Sequence, residues 1–175
     1  MTTSIIVTII GPDRPGLVSA ISDKAAEFDA NWADSLMANL AGQFAGIVHL
    51  QAPDQNSEAL MTALRKLASP GMQIIVAAGG SITGNVNTRR LKLNLLGQDR
   101  PGIIRRISNQ LAQRGISIDK LQTQIVSGAM SGEQMFQMHA QLTVPENLDD
   151  DELRRGLEGL ANELMVDLEL DDSAR

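Results

Sequence analysis

The side chains best placed to do chemistry lie in a hexapeptide that occurs twice in the 175 residues. Gly11-Pro12-Asp13-Arg14-Pro15-Gly16 returns 86 residues later as Gly97-Gln98-Asp99-Arg100-Pro101-Gly102. Each copy precedes a run with helical periodicity, so Asp13 reads as an N-cap. Pro15 fits the first helical turn, where the N–H it lacks would have no intrahelical partner. Gly16 removes the side chain that would keep another molecule off the backbone. The free N–H groups of Gly16 and Leu17, and of Gly102 and Ile103, can then hold a small carboxylate. Asp13 or Asp99 supplies a counter-charge for an amine beside that carboxylate. A free amino acid has this shape. The same residues are ordinary helix-start signals, so plain capping is the competing reading.

Asn31 and Ser117 occupy equivalent places at the start of the following extended run. In this topology they are expected to rise beside the turn, where each could hydrogen-bond a ligand. Asn31 has more reach and both bonding roles, which equips the first copy better. Completing the helix-to-strand turn is the alternative for both residues.

Other chemistries lose their residues one by one. Leu17 and Val18 stand where a phosphate loop needs Lys and Ser or Thr. Gly79, Gly80 and Gly84 precede a strand, whereas a dinucleotide fingerprint follows one. His49 and His139, the two histidines of the chain, make neither a metal cluster nor a base oriented by a carboxylate. No Gly-x-Ser-x-Gly elbow accompanies them, and the chain has no cysteine. Asp149-Asp150-Asp151-Glu152 resembles the start of a calcium loop, but Arg154 sits where that loop needs glycine; the acids suit the positive end of a helix. We expect no catalytic residues, no metal and no cofactor.

The elements that must position the two turns also repeat. Ser4–Phe28 and Arg90–Arg114 align without gaps and share 8 of 25 residues. Leu91, Leu93 and Leu95 alternate with Lys92 and Asn94, the period of a strand with one buried face. Leu17, Ile21, Ala25 and Phe28 then fall at helical spacing, as do Ile103, Ile107 and Leu111. Asn31–Leu40 and Phe44–Gln51 read as a hairpin, matched by Ser117–Val126 and Gln134–Val144. A second helix begins near Ser57 or Asp149, and Gln73–Ala78 or Met165–Leu170 closes each copy. The order is β-α-β-β-α-β twice. The fold class is therefore α+β: two tandem ferredoxin-like units, each an antiparallel sheet with helices on one face. We place the first domain at 1–80, a linker at 81–88 and the second domain at 89–175.

Ile6 and Ile10 lie on the alternate face of the first strand, where the second copy has Lys92 and Leu96. Something should cover that face, either the other half of the chain or a second copy in a homodimer. The small-residue loop Ser127–Gly132 with Met130 at its tip is expected to be exposed and mobile.

Composition narrows the function further. A net charge of −6 and four aromatic residues argue against direct contact with nucleic acid, which calls for a basic surplus and stacking platforms. Residues 89–120 carry a local excess of six positive charges, but residues 146–172 hold eleven acids against two arginines. In the expected topology the two blocks are neighbours and offset each other. No run of 18 apolar residues and no signal-peptide core is present, so we expect no membrane span and a cytoplasmic protein.

The duplicated β-α-β-β-α-β pattern with Asp-Arg-Pro-Gly after each first strand resembles a pair of ACT domains, small regulatory modules that typically bind amino acids. Gly11–Gly16 followed by Asp34-Ser35-Leu36-Met37-Ala38-Asn39-Leu40 is similar, more narrowly, to the glycine cleavage system transcriptional repressor group. That resemblance implies a non-enzymatic sensor of a small, glycine-like amino acid that acts through a partner transcription regulator without touching DNA, with a homodimer as the assembly. It carries the ligand site to Asp13, Gly16, Leu17 and Asn31, and to Asp99, Gly102, Ile103 and Ser117. Ser117 departs from the Asn of the first copy. A ligand-independent interaction module, or the detached regulatory unit of an amino-acid or one-carbon enzyme, would share this fold.

Overall fold

The computed structural model describes residues 1–80, 87–128 and 132–172. The chain divides into two compact units, Met1–Thr83 and Gly84–Arg175. Most of the expected linker, and Met130 of the expected mobile loop, lie outside the described residues.

The first unit comprises β1 (Thr2–Pro12), α1 (Leu17–Glu27), β2 (Asn31–Leu40), β3 (Gln43–Pro53), α2 (Asp54–Arg65) and β4 (Gln73–Ala78). The second repeats the order with β5 (Thr88–Gln98), α3 (Ile103–Ala112), β6 (Ser117–Ser127), β7 (Gln134–Pro145), α4 (Asp150–Leu164) and β8 (Val166–Asp172). Strand β5 thus takes Thr88 out of the expected linker. The second helix starts at Asp54, three residues ahead of the expected Ser57. Both sheets are four-stranded and antiparallel, ordered β2-β3-β1-β4 and β6-β7-β5-β8.

Period-two patterning sorts the side chains. Ile5, Val7 and Ile9 of β1 pack with Val48, Leu50 and Ala52 of β3 beneath Leu17, Ile21, Leu60 and Leu64 of the helices. In the second unit Leu91, Leu93 and Leu95 meet Ile103, Ile107, Leu111, Leu153 and Leu157. Acidic and basic blocks of this unit do meet: Arg106 Nη2 lies 2.5 Å from Glu163 Oε2, and Arg89 pairs with Asp150. Asp149 caps α4, its Oδ1 accepting the Glu152 N–H at 2.9 Å.

The faces turned away from the helices differ between the units. Register places Leu36, Ile47, Thr8 and Ile75 in one row across all four strands of the first sheet. Ile10, Ala38 and Ala45 extend that apolar surface; Ile75 is 61% and Leu40 74% exposed. The corresponding rows of the second sheet read Gln122, His139, Asn94, Glu169 and Gln124, Gln137, Leu96, Asp167, with Leu96 as their one apolar member. A duplicated fold has kept one open face apolar and made the other polar.

Candidate functional site

Each first strand ends in a turn that sets the start of the helix. Gly16 has φ 92° and ψ 0°, and Gly102 has φ 94° and ψ 1°. These values, two residues after the arginine and directly after proline, are those of the third position of a type II turn, which glycine accepts and L-residues resist. The helix therefore begins at Leu17 with Gly16 as its N-cap, and no side chain caps it. This corrects two expectations. Pro15 precedes the helix instead of entering its first turn, and Asp13 is not the N-cap, because the type II turn puts three residues, Arg14, Pro15 and Gly16, between the aspartate and the first helical residue. A Cβ at Gly16 would meet open space, so glycine is required there by its dihedral angles rather than by crowding.

Asp13 has a different task. Its N–H donates to the Gly42 carbonyl at 3.1 Å, and its Oδ2 accepts from Asn39 Nδ2 at 2.6 Å. The turn is pinned to the β2–β3 hairpin. Asp99 makes the equivalent backbone bond to Gln134, at 3.0 Å. Its side chain meets no amide of that kind, because Ile125 stands at the position matching Asn39.

Asn31 and Ser117 do not lie beside the turns within their own units. Asn31 is level with Gln51 and hence with Ser4, whereas the turn follows Gly11 at the opposite end of the sheet. Seven residues of strand separate those levels, roughly 23 Å at about 3.3 Å per residue. Ser117 is likewise level with Thr143 and Arg90. The reason is chain direction: α1 travels antiparallel to β1, and its 11 residues span about 16 Å. The chain is carried back to where β1 began before β2 starts.

Beside the first turn lies a cavity of about 300 Å³, lined by Ile9, Leu17, Ala20 and Ile21, by Leu67, Met72 and Ile74, and at its mouth by Arg14, Pro15 and Gly16. The wall opposite α1 comes from the link between α2 and β4. Arg14 reaches across to that link, its Nη2 donating to Ser69 Oγ at 3.1 Å and to Met72 Sδ at 3.7 Å. Within α1 the first N–H to find a helical carbonyl is that of Ala20, which bonds Gly16 O at 2.9 Å. Those of Leu17, Val18 and Ser19 have no carbonyl within the helix to bond. Gly16 and Leu17 thus belong to the cavity; Asp13 does not line it. Sequence reasoning missed Arg14, Ala20, Asn39 and the 66–72 link.

The second turn lacks this arrangement. Helix α4 runs to Leu164 and β8 starts at Val166, so no link stands off from the helix start. A Cβ on Gly97 would come within 2.4 Å of Val166 Cγ1. Arg106 occupies the position matching Ala20 and is tied to Glu163, while Arg100 folds back onto Gln98 Oε1 at 2.9 Å. Gly102 and Ile103 keep the same helix start without the same room.

The comparisons with known proteins fit this geometry. The family model of the ACT domain matches residues 3–76. Both units have the ACT fold. A crystal structure of a protein of unknown function from Galdieria sulphuraria superposes with a TM-score of 0.85 at 29% identity, covering 99% of this chain and 100% of that one. A second, of a protein assigned as a glycine cleavage system transcriptional repressor, superposes with a TM-score of 0.69 at 18% identity, covering 100% and 99%. No curated protein matches the sequence significantly. The tandem ACT arrangement therefore extends over essentially the whole of both relatives.

The histidines are held within their strands. His49 Nε2 lies 3.0 Å from Ser4 Oγ, and His139 Nδ1 lies 2.8 Å from Asn94 Oδ1. Among the described residues no group of three His, Asp or Glu could hold a metal ion. No helix among them is long and apolar enough to cross a membrane.

Proposed function

We propose that this chain is a cytoplasmic amino-acid-sensing regulatory protein. A small amino acid binds at the turn between β1 and α1 of the first ACT unit, and its occupancy changes the affinity for a partner transcription regulator without contact between this chain and DNA. The observation that carries the reading is the cavity at the start of α1, whose lining includes Arg14, Gly16 and Leu17. Open amides and the positive end of the helix favour a carboxylate. Asp13, the neighbour of Arg14 in the chain, is the carboxylate we assign to an ammonium group. Glycine is the ligand suggested by the resemblance of the sequence to the glycine cleavage repressors, and the full-length superposition on a protein assigned to that role supports a regulatory task over a catalytic one.

Gly102, Ile103 and Asp99 are the matching candidates in the second unit; their turn is more crowded, so the first unit is the principal sensor. Asn31 and Ser117 lie too far from their own turns to complete the site within one unit. The apolar open face of the first sheet is the surface through which we propose the chain forms a homodimer, apolar rows meeting apolar rows. Coupling between ligand and partner of this kind is typically worth ~1–3 kcal/mol, or about 5- to 150-fold in affinity.

Titration calorimetry of the folded protein with glycine, serine and larger amino acids tests the binding half. Heat that disappears in Arg14→Gln supports the reading; no heat from any amino acid refutes it. A favourable coupling to the partner requires that ligand shift partner affinity, read by repeating the partner titration at saturating ligand.

A further inference from the structure

The open face of the second sheet carries a cavity of its own, far from either turn in function and lining. It measures about 220 Å³ and is lined by Lys120 and Gln122 of β6, Gln141 and His139 of β7, and Lys92 and Asn94 of β5. Register sets Lys120, Gln141 and Lys92 side by side in one row, and Gln122, His139 and Asn94 in the next. Strands β6 and β5 thus present the same pair, an ammonium with a carboxamide two residues on, while β7 between them forms the floor. At about 4.8 Å per strand, the Cα atoms of the two lysines stand roughly 10 Å apart. Among the described residues, Lys92, Lys120, Gln122 and Gln141 form no ion pair and no side-chain hydrogen bond. One row further on, Gln124 and Gln137 satisfy each other. His139 Nδ1 lies 2.8 Å from Asn94 Oδ1; a carboxamide oxygen only accepts, so Asn94 keeps both Nδ2 hydrogens for another acceptor.

The first unit serves as an internal control. Its matching rows are Asp34, His49, Ile6 and Leu36, Ile47, Thr8, with no ammonium and no carboxamide, so the fold itself asks for neither. The acids of the second sheet stay outside the cavity. Asp171 faces Lys92 from β8 without an ion pair, Glu169 lines a neighbouring cavity, and Asp119 accepts from Thr143 Oγ1. We propose that this face binds a small dicarboxylate. One carboxylate takes Lys120 and Gln122, the other takes Lys92 and Asn94, and the carbon chain crosses Gln141 and His139. At about 30 Å³ per water, the 220 Å³ is room for roughly seven, the scale of a four- or five-carbon diacid. A compact phosphate would meet only one of the two stations, and the strand N–H groups that could form a phosphate nest are spent in the sheet ladder. This site lies in the other unit and does not rest on the amino-acid reading above.

The test is amide chemical-shift titration of the full, isotope-labelled chain with glutarate, succinate, butyrate and inorganic phosphate. It is run on wild type, on Lys92→Gln, Lys120→Gln and the double variant, and on Arg14→Gln. All four substitutions fall on exposed side chains, and the dispersion of each spectrum reports that the variant is folded. The expected result is saturable shifts at residues 92–94, 120–122 and 139–141 with glutarate or succinate, weakened by added sodium chloride. Butyrate, with one carboxylate, binds at least fivefold more weakly. Each single lysine variant loses about two- to fivefold, the range of an exposed ion pair, the double variant about tenfold, and Arg14→Gln nothing. Butyrate or phosphate binding as tightly as the diacids overturns the two-station assignment. Undiminished diacid binding in the folded double variant overturns the location, as do diacid shifts confined to residues 14–21. Shifts that grow linearly without saturating, or no shifts at all, overturn the site, and the amino-acid reading of the first unit stands or falls separately.

Discussion

Replacing Gly16 with alanine isolates the conformational demand of the turn. A Cβ there meets nothing within 4 Å, so crowding contributes nothing and the whole cost comes from placing an L-residue at φ 92°. That cost is about 1–2 kcal/mol. Gly159→Ala makes the opposite prediction with the same atoms added. Gly159 lies on the exposed side of α4, also with open space around its Cβ. Alanine there stabilises by roughly 0.5–1 kcal/mol because the unfolded chain loses freedom and the helix gains propensity. For Gly16 the assay is urea unfolding followed by fluorescence of Trp32, the single tryptophan of the chain, which packs against the first unit's core. With a urea slope of about 1 kcal/mol per molar for a small unit, the Gly16→Ala midpoint falls by roughly 1–2 M. Circular dichroism follows Gly159→Ala in the second unit, whose transition moves upward. A Gly16→Ala midpoint equal to wild type would refute the type II turn as the element that fixes the helix start.

Asp149→Ala removes the cap of α4 and should cost about 1 kcal/mol, read as a lower denaturation midpoint of the second unit. Leu93→Ala, at a side chain with no exposed surface, should cost ~2–5 kcal/mol through lost burial and a residual cavity, seen in the same unfolding experiment. Ile47→Lys places a charge in the middle of the first sheet's apolar rows; sedimentation velocity should change from dimer to monomer while circular dichroism stays constant. Arg106→Ala removes a half-exposed ion pair and should change stability by no more than about 1 kcal/mol, as a double-mutant cycle with Glu163→Ala would measure.

Much of this architecture was legible in the residues. Leu91, Leu93 and Leu95 alternate with polar neighbours because one face of β5 is buried, and the repeat of Asp-Arg-Pro-Gly marks the same turn twice. What the residues did not disclose were properties of chain direction and tertiary contact. Asn31 looked close to the turn because it is close in sequence to the helix; the helix length, converted to ångströms, would have placed it at the far end and pointed to Asn39 instead. Asp13 looked like an N-cap because the proline was assigned to the helix, while Pro-Gly also encodes a type II turn. The cavity depends on how the 66–72 link stands away from α1, which no local pattern records. Its one sequence trace is Ala20 against Arg106, a small residue facing a large charged one at matching positions.

The most direct test of the sensor account is amide chemical-shift mapping of the isotope-labelled chain during titration with glycine and with larger amino acids. The account predicts saturable shifts concentrated at Arg14–Ile21 and Leu67–Ile74 for at least one of them, with residues 100–107 little affected. Shifts absent from the first turn at millimolar concentrations of every one of these compounds, in a protein whose spectrum is otherwise well dispersed, would contradict it.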